Sequence, residues 1–172
     1  MLIQILQKEL ESLRVQYIQM TENWANGYFA ICLERNEWTE EDWAIHLGIE
    51  TRIANEGRGN EFVTFYKGFW NTKQSSTYFR QRQEALNIVR MGIDKYVEKE
   101  RKRAENNFQA SVEKLAARIE KKGLDQSKLV VETAHLDVNI TTTLTDGEQT
   151  VKAWTIIASG PVQRPHYRYL VK

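Results

Sequence analysis

The sequence predicts an α+β fold with a helical N-terminal lobe, one long connecting helix and a C-terminal three-stranded antiparallel β-meander. Apolar residues recur at helical spacing as far as Lys122, and they alternate at strand spacing on both sides of Asp146-Gly147. An Asp-Gly pair between two alternating runs is typical of a hairpin turn. Only two prolines interrupt the chain. We therefore expect a helical lobe over 1–74, a linking helix over 75–122 and a sheet lobe over 123–172.

Composition indicates one folded domain of ordinary size. The chain has 172 residues, is 41% hydrophobic and carries a net charge of +1, which excludes a disordered chain. The single cysteine, Cys32, excludes an internal disulfide and suits a reducing compartment. There is no basic leader and no apolar run of ~18 residues, so we expect a cytoplasmic protein without membrane contact.

The first helix is predicted from Leu2 to Trp24, because its apolar residues keep a three-four spacing: Ile3, Leu6, Leu10, Leu13, Tyr17, Met20 and Trp24. Further apolar residues widen this stripe, which favours a bundle helix over a coiled-coil dimer. The helix either loosens at Gly27 or passes straight through it. Thr39 with Asp42 resembles a capping box and predicts a short helix over 40–47. A loop over 57–60 and an aromatic cluster over 62–70 follow.

The long helix over 75–122 shows an eleven-residue apolar period, which fits a nearly straight helix. A continuous helix of this length would span ~72 Å. A compact globule of this size has a diameter of roughly 40 Å, so the helix either bends near Gly92 or projects. Between Glu98 and Asn107 the only apolar residue is Ala104, which predicts a solvated bridge.

The sheet is predicted from a two-residue hairpin loop. One continuous strand would then carry Ala134 to Leu144 on its apolar face, with Val151 and Ala153 opposite. The other, polar face carries Trp154. A third strand over 166–172 follows Pro165 and is placed at an edge. Because a three-stranded sheet with one helix is marginal alone, we expect a homo-oligomer.

The partner-binding prediction rests on the polar sheet face and the third strand. These carry the residue types that are enriched at interfaces, and we call the following six residues the predicted docking surface: Asn139, Lys152, Trp154, Arg164, His166 and Arg168. The expected function is a non-enzymatic interaction or adaptor protein that binds another macromolecule through this surface and the exposed long helix. One version is a phage-type modulator or inhibitor of a larger host enzyme complex.

Two alternatives remain open. A nucleic-acid-binding protein would use the basic stretch of the long helix, Lys95, Lys99, Lys102 and Arg103, although acidic residues interleave with it. It would also use the surface formed by Trp154, His166 and Arg168. A small enzyme would use an acidic site near Glu37–His46, where tryptophans can raise a carboxyl pKa. The same acids are also typical of the first turn of a helix.

The sequence predicts no metal site and no cofactor. Its three histidines are scattered and lack zinc-ligand spacing. Cys32 lies among apolar residues, as a buried thiol does. The glycines over 57–59 lack the Lys-Ser/Thr that completes a phosphate-binding loop.

Overall fold

The computed structural model describes residues 2–47, 73–136, 139–157 and 164–169, in which helices precede an antiparallel sheet. The α+β class is therefore confirmed. The helices are α1 (Leu2–Glu9), α2 (Glu11–Asn36), α3 (Glu40–His46), α4 (Lys73–Met91) and α5 (Ile93–Lys122). A 3₁₀ turn over Gln126–Lys128 leads to β1 (Val130–Leu136), β2 (Asn139–Thr145), β3 (Thr150–Ile157) and β4 (His166–Tyr169). The predicted loop over 57–60 and aromatic cluster over 62–70 lie outside the described residues.

The chain divides into two compact units. The first unit contains Met1–Tyr28 and Asp94–Lys172, and the second unit contains Phe29–Ile93. These bounds differ from the predicted division after residues 74 and 122. The N-terminal helical residues group with the second half of the chain, because their apolar stripe enters the same core as the sheet.

The core of the first unit is a single apolar cluster drawn from the helices and the sheet. Its buried members are Leu2, Leu6, Leu10, Leu13 and Tyr17 from the N-terminal helices, Ala104, Phe108, Val112, Leu115, Ala116 and Ile119 from α5, and Leu124, Leu144 and Val151. The three-four spaced stripe is thus covered from within the chain. Each of the large side chains contributes about 1.5–3 kcal/mol by leaving water.

The two N-terminal helices are nearly continuous. The Leu10 N–H donates to the Leu6 carbonyl, and the Arg14 N–H donates to the Leu10 carbonyl, both at 2.9 Å. α2 passes through Gly27 and ends at Asn36, so the second of the two predicted alternatives for this helix holds.

Helix α3 begins with the predicted capping box. The Thr39 hydroxyl accepts from the Asp42 N–H at 3.2 Å, and the Asp42 carboxylate accepts from the Thr39 N–H at 2.9 Å. These reciprocal bonds satisfy two backbone donors that the first turn would otherwise leave unpaired.

The predicted helix over 75–122 is interrupted at Gly92. This residue separates α4 from α5 and has φ +89°. Its N–H donates to the carbonyls of Ile88 and Val89, as at many helix ends that finish on a left-handed glycine. A Cβ here would meet nothing within 4 Å, so the backbone conformation alone favours glycine.

The predicted solvated bridge between Glu98 and Asn107 is wrong. Ala104 is fully buried and Glu100 is 2% exposed. The reason is that one face of α5 packs within the first unit, where Ala104 shares the core cluster with Leu13 and Tyr17. A polar sequence on the remaining faces does not prevent burial of one row.

The Asp146-Gly147 hairpin is confirmed, with a longer loop than predicted. β2 and β3 pair antiparallel up to Thr145 and Thr150, which leaves four residues between them. The prediction of one continuous strand ending at Leu144 is wrong. This stretch forms two strands, β1 and β2, which pair with each other antiparallel. Their paired residues run from Leu136 with Asn139 to Val130 with Thr145. The sheet therefore has four strands in the order β1-β2-β3-β4. Asp137 and Val138 lie outside the described residues.

A β-bulge changes the predicted register of β3. Leu144 pairs with Val151 and Thr143 with Lys152, but Thr142 pairs with Trp154. Ala153 is thus the extra residue, and positions beyond it exchange faces relative to the prediction. Trp154, and not Ala153, occupies the position opposite the buried Thr142.

Candidate functional site

A buried carboxylate lies where the start of β4 meets α5. Glu100 projects from α5 and its side chain is 2% exposed. Its Oε2 accepts from Nε of Arg103, one turn further along the helix, at 2.9 Å. Its Oε1 lies 3.3 Å from Nη2 of Arg164, which immediately precedes Pro165 and β4. We call Glu100, Arg103 and Arg164 the Glu100 cluster.

A group of aromatic side chains lies beside the Glu100 cluster. The Arg164 guanidinium carbon lies 5.1 Å from the ring centroid of Trp24, within the range of a cation–π contact. Trp24 stacks on Tyr28 at 5.1 Å between ring centroids and 14° between planes. Tyr96 lies 6.4 Å from both rings and is buried. Arg164 is therefore held by a carboxylate and an aromatic face together.

Tyr17 forms a hydrogen bond with Pro165, the residue that follows Arg164. Its hydroxyl donates to the Pro165 carbonyl at 3.4 Å. Burial is the main cause that raises the pKa of Tyr17, while a hydrogen bond with Asn107 and the nearby Arg103 oppose the rise. The hydroxyl thus keeps its proton at neutral pH and remains a donor.

The sequence did not predict this arrangement, because its members belong to separate features of the sequence. Arg103 belongs to the basic stretch, Arg164 to the predicted docking surface and Glu100 to the acidic residues that interleave with the basic stretch. A signal was nevertheless present. Glu100 lies in an i, i+4 row with Tyr96, Ala104 and Phe108, and such a row shares one helix face.

Register places part of the predicted docking surface in neighbouring rows across the sheet. Ile157 pairs with Asn139 on one side and with His166 on the other. Thr155 pairs with Arg168, two positions further along the two strands. Asn139 of β2 and His166 of β4 therefore lie in one row on either side of β3, and Arg168 lies two positions from His166 along β4.

The other members lie on both sides of the bulge. Lys152 pairs with Thr143 before it, and Trp154 pairs with Thr142 and Tyr169 after it. The bulge therefore separates these two residues in register. Arg164, the sixth member, has a 41% exposed side chain but is engaged by Glu100.

The basic stretch presents three lysines to solvent. Lys95, Lys99 and Lys102 line an open surface depression together with Asp94 and Glu98. Lys102 Nζ lies 3.9 Å from the Glu98 carboxylate. This face of α5 therefore mixes both signs of charge.

Arg103 of the same stretch and the neighbouring Arg101 pair with acidic residues of the first unit. Arg103 binds the buried Glu100. Arg101 pairs with Glu22 of α2 and with Glu98, three residues before it in α5. Because these contacts already neutralise both guanidinium groups, the exposed cationic surface is smaller than the sequence suggests.

The acidic run in the second unit caps a helix. The Asp42 carboxylate accepts a hydrogen bond from the Thr39 N–H, as described above. His46 lies against Trp38 and Trp43, with ring centroids 5.2 and 5.9 Å away. Burial, and then the charge of Arg35, lowers the pKa of His46. The imidazole of His46 therefore packs in an aromatic cluster, and this packing describes its role better than an ion pair with the neighbouring carboxylates does.

Among the described residues, no group of three or more His, Cys, Asp or Glu side chains is placed to hold a metal ion. Cys32 is buried. None of the helices in the described ranges is long and apolar enough to cross a bilayer. Comparison with known proteins gave no match to a protein-family model, to a curated protein or to a solved structure.

Proposed function

We propose that this chain is a non-enzymatic interaction protein that binds another protein through β4 and the exposed face of α5. The contact between Arg164 and Glu100 carries the proposal, because it makes the start of β4 and the middle of α5 neighbours. A partner can therefore contact both elements at once. β4 is also an edge strand of the described sheet, and edge strands offer backbone groups to a partner.

The charge pattern favours a protein partner over a nucleic acid. The exposed face of α5 alternates Asp94, Lys95, Glu98, Lys99 and Lys102. Phosphate-binding surfaces gather cations with few acids between them. A mixed row instead suits a protein surface with complementary charges. We extend the proposal to one concrete version, in which the partner is a larger enzyme complex of a phage host that this chain modulates.

The proposal is tested by identifying a partner and then titrating it. Affinity capture from the native host with mass spectrometry supplies candidates, and each purified candidate is titrated by calorimetry. Arg168→Ala and Lys99→Ala are expected to weaken binding about tenfold or more, as hot-spot residues do. Lys121→Ala changes an exposed lysine at the far end of α5 and serves as the control. Equal affinities for all four proteins would contradict the proposed surface.

A nucleic-acid partner is the second candidate, supported by the three exposed lysines. If each lysine neutralises one phosphate of duplex DNA, affinity falls about 40-fold between about 50 and about 200 mM salt. Fluorescence anisotropy with labelled duplex and single-stranded oligonucleotides measures this dependence. Lys95, Lys99 and Lys102 changed together to Glu should abolish such binding. A wild-type chain that binds neither oligonucleotide removes this candidate.

We also propose self-association, since β1 and β4 both stand at edges of the described sheet. Size-exclusion chromatography with light scattering tests it. The mass of one chain at all accessible concentrations would contradict it.

A further inference from the structure

We infer that Glu100 and Trp24 form a guanidinium-binding site, which Arg164 occupies in order to hold the start of β4. The inference rests on the proposed function only for its consequence in partner binding. The site itself follows from the contacts of the first unit.

The carboxylate is the first half of the site. A carboxylate that is 2% exposed is costly to bury unless cations and hydrogen bonds compensate it. Arg103 reaches one oxygen from within the same helix, so it requires no distant segment. The other oxygen is met by Arg164 from the far end of the chain. This second contact therefore depends on the tertiary fold.

The indole ring is the second half. Trp24 is 8% exposed, and its ring lies 5.1 Å from the Arg164 guanidinium carbon. A planar, delocalised cation stacks on an aromatic face, whereas a lysine ammonium is a compact and strongly hydrated charge. The pair of a buried carboxylate and an aromatic face thus selects guanidinium.

The site controls β4 because of where Arg164 lies. Pro165 follows it and accepts the hydrogen bond of Tyr17, and β4 begins at the next residue. Arg164 and Pro165 are thus both held by contacts immediately before β4, which has four residues. Among the described strands, β4 pairs with β3 alone. Without Arg164, the hydrogen bond of Tyr17 to Pro165 and the pairing with β3 would have to hold the first residues of this short strand by themselves.

Hydrogen–deuterium exchange with mass spectrometry on the full chain tests the inference. In Arg164→Ala, amides of His166–Tyr169 should exchange at least about tenfold faster, while amides of Val130–Leu136 stay unchanged. Arg164 is 41% exposed, so a small solute can reach the vacated site. Methylguanidine should therefore restore protection of β4 in Arg164→Ala, and methylamine at the same concentration should not. Arg90→Ala, an exposed arginine in α4, is the matched control.

Three outcomes would overturn the inference. These are unchanged exchange of β4 in Arg164→Ala, no restoration by methylguanidine, and equal restoration by methylamine. If Arg164→Ala does not fold, Arg164→Lys decides, because it keeps the charge and loses the plane. Wild-type protection of β4 in that variant would also refute the site.

The exchange measurement needs no partner, so it stands apart from the proposed function. A mobile β4 in Arg164→Ala together with undiminished affinity for a captured partner would support the site and contradict the proposed binding surface. Full protection of β4 in Arg164→Ala together with lost affinity for the partner would contradict the site and support the proposed binding surface.

Discussion

Replacing Glu100 with Gln removes one charge from the first unit and very little volume. The amide keeps the shape of the carboxylate, so the volume that Glu100 fills is preserved. What disappears is the anion that Arg103 and Arg164 share at 2.9 and 3.3 Å. Both guanidinium groups then remain near a buried neutral side chain.

The expected loss of stability follows from burial. Removing one partner of a fully buried ion pair costs about 3–5 kcal/mol. Here the two arginine side chains are 34% and 41% exposed, so water solvates them in part. Discounting for this screening leaves a loss of about 2 kcal/mol. For a chain of this size, that loss lowers Tm by about 4–8 °C.

Urea denaturation followed by circular dichroism measures the change, and calorimetry gives Tm. Glu120→Gln is the matched control, since Glu120 is exposed on the same helix. It should alter the free energy of unfolding by no more than about 0.5 kcal/mol. A Glu100→Gln protein as stable as the wild type would refute the reasoning, because it would mean that the two arginines are equally well solvated without the anion.

Three further predictions concern backbone conformation and pH. Gly92→Ala should lower the free energy of unfolding by about 1–2 kcal/mol, because the φ of Gly92 is +89°. Gly27→Ala inside α2 should raise the free energy of unfolding by about 0.5–1 kcal/mol, because alanine favours the helix and a Cβ at this position would meet nothing within 4 Å. Urea titrations that shift the stability of both variants in the same direction would contradict this account. Three backbone N–H groups hold the pKa of Asp146 at about 2, so its stabilisation is present above its ordinary value of 3.8 and is lost as pH falls through about 2. Asp146→Asn should therefore be less stable than the wild type at pH 6, and a Tm difference that persists undiminished at about pH 2 would count against this. The pKa of His46 is lowered from 6.5, first by burial, so its contribution is complete above that value and is lost as pH falls below it. His46→Gln should lose less stability than the wild type on acidification, and parallel pH profiles of Tm would exclude the effect.

The elements that could be predicted from the sequence depend on contacts within a few residues. The capping box of α3 joins Thr39 to Asp42, three positions away. In the hairpin, Asp146 accepts from the N–H groups of Glu148 and Gln149, and Gly147 adopts φ +96°. Local chemistry of this kind is encoded in the adjacent residues, and the periodicity of the helices is encoded in the same way.

The errors arose where a distant partner decides the outcome. Nothing beside Ala153 in the chain indicates a bulge, which exists because β3 must pair with β2 on both sides of it. The reversal between Leu136 and Asn139 likewise interrupts an alternation that reads as one strand. A two-residue period cannot distinguish one long strand from two short ones that keep the same alternation.

By itself the sequence determined the α+β class, which of the described stretches are helical and the main hairpin turn, because helical and strand periods and turn residues act over short stretches of chain. Only the tertiary structure decided that Glu100 is buried and that Arg103 and Arg164 meet on it. The physical reason is that a charged side chain has no local preference for burial. Its place depends on whether folding brings an opposite charge to it from elsewhere in the chain.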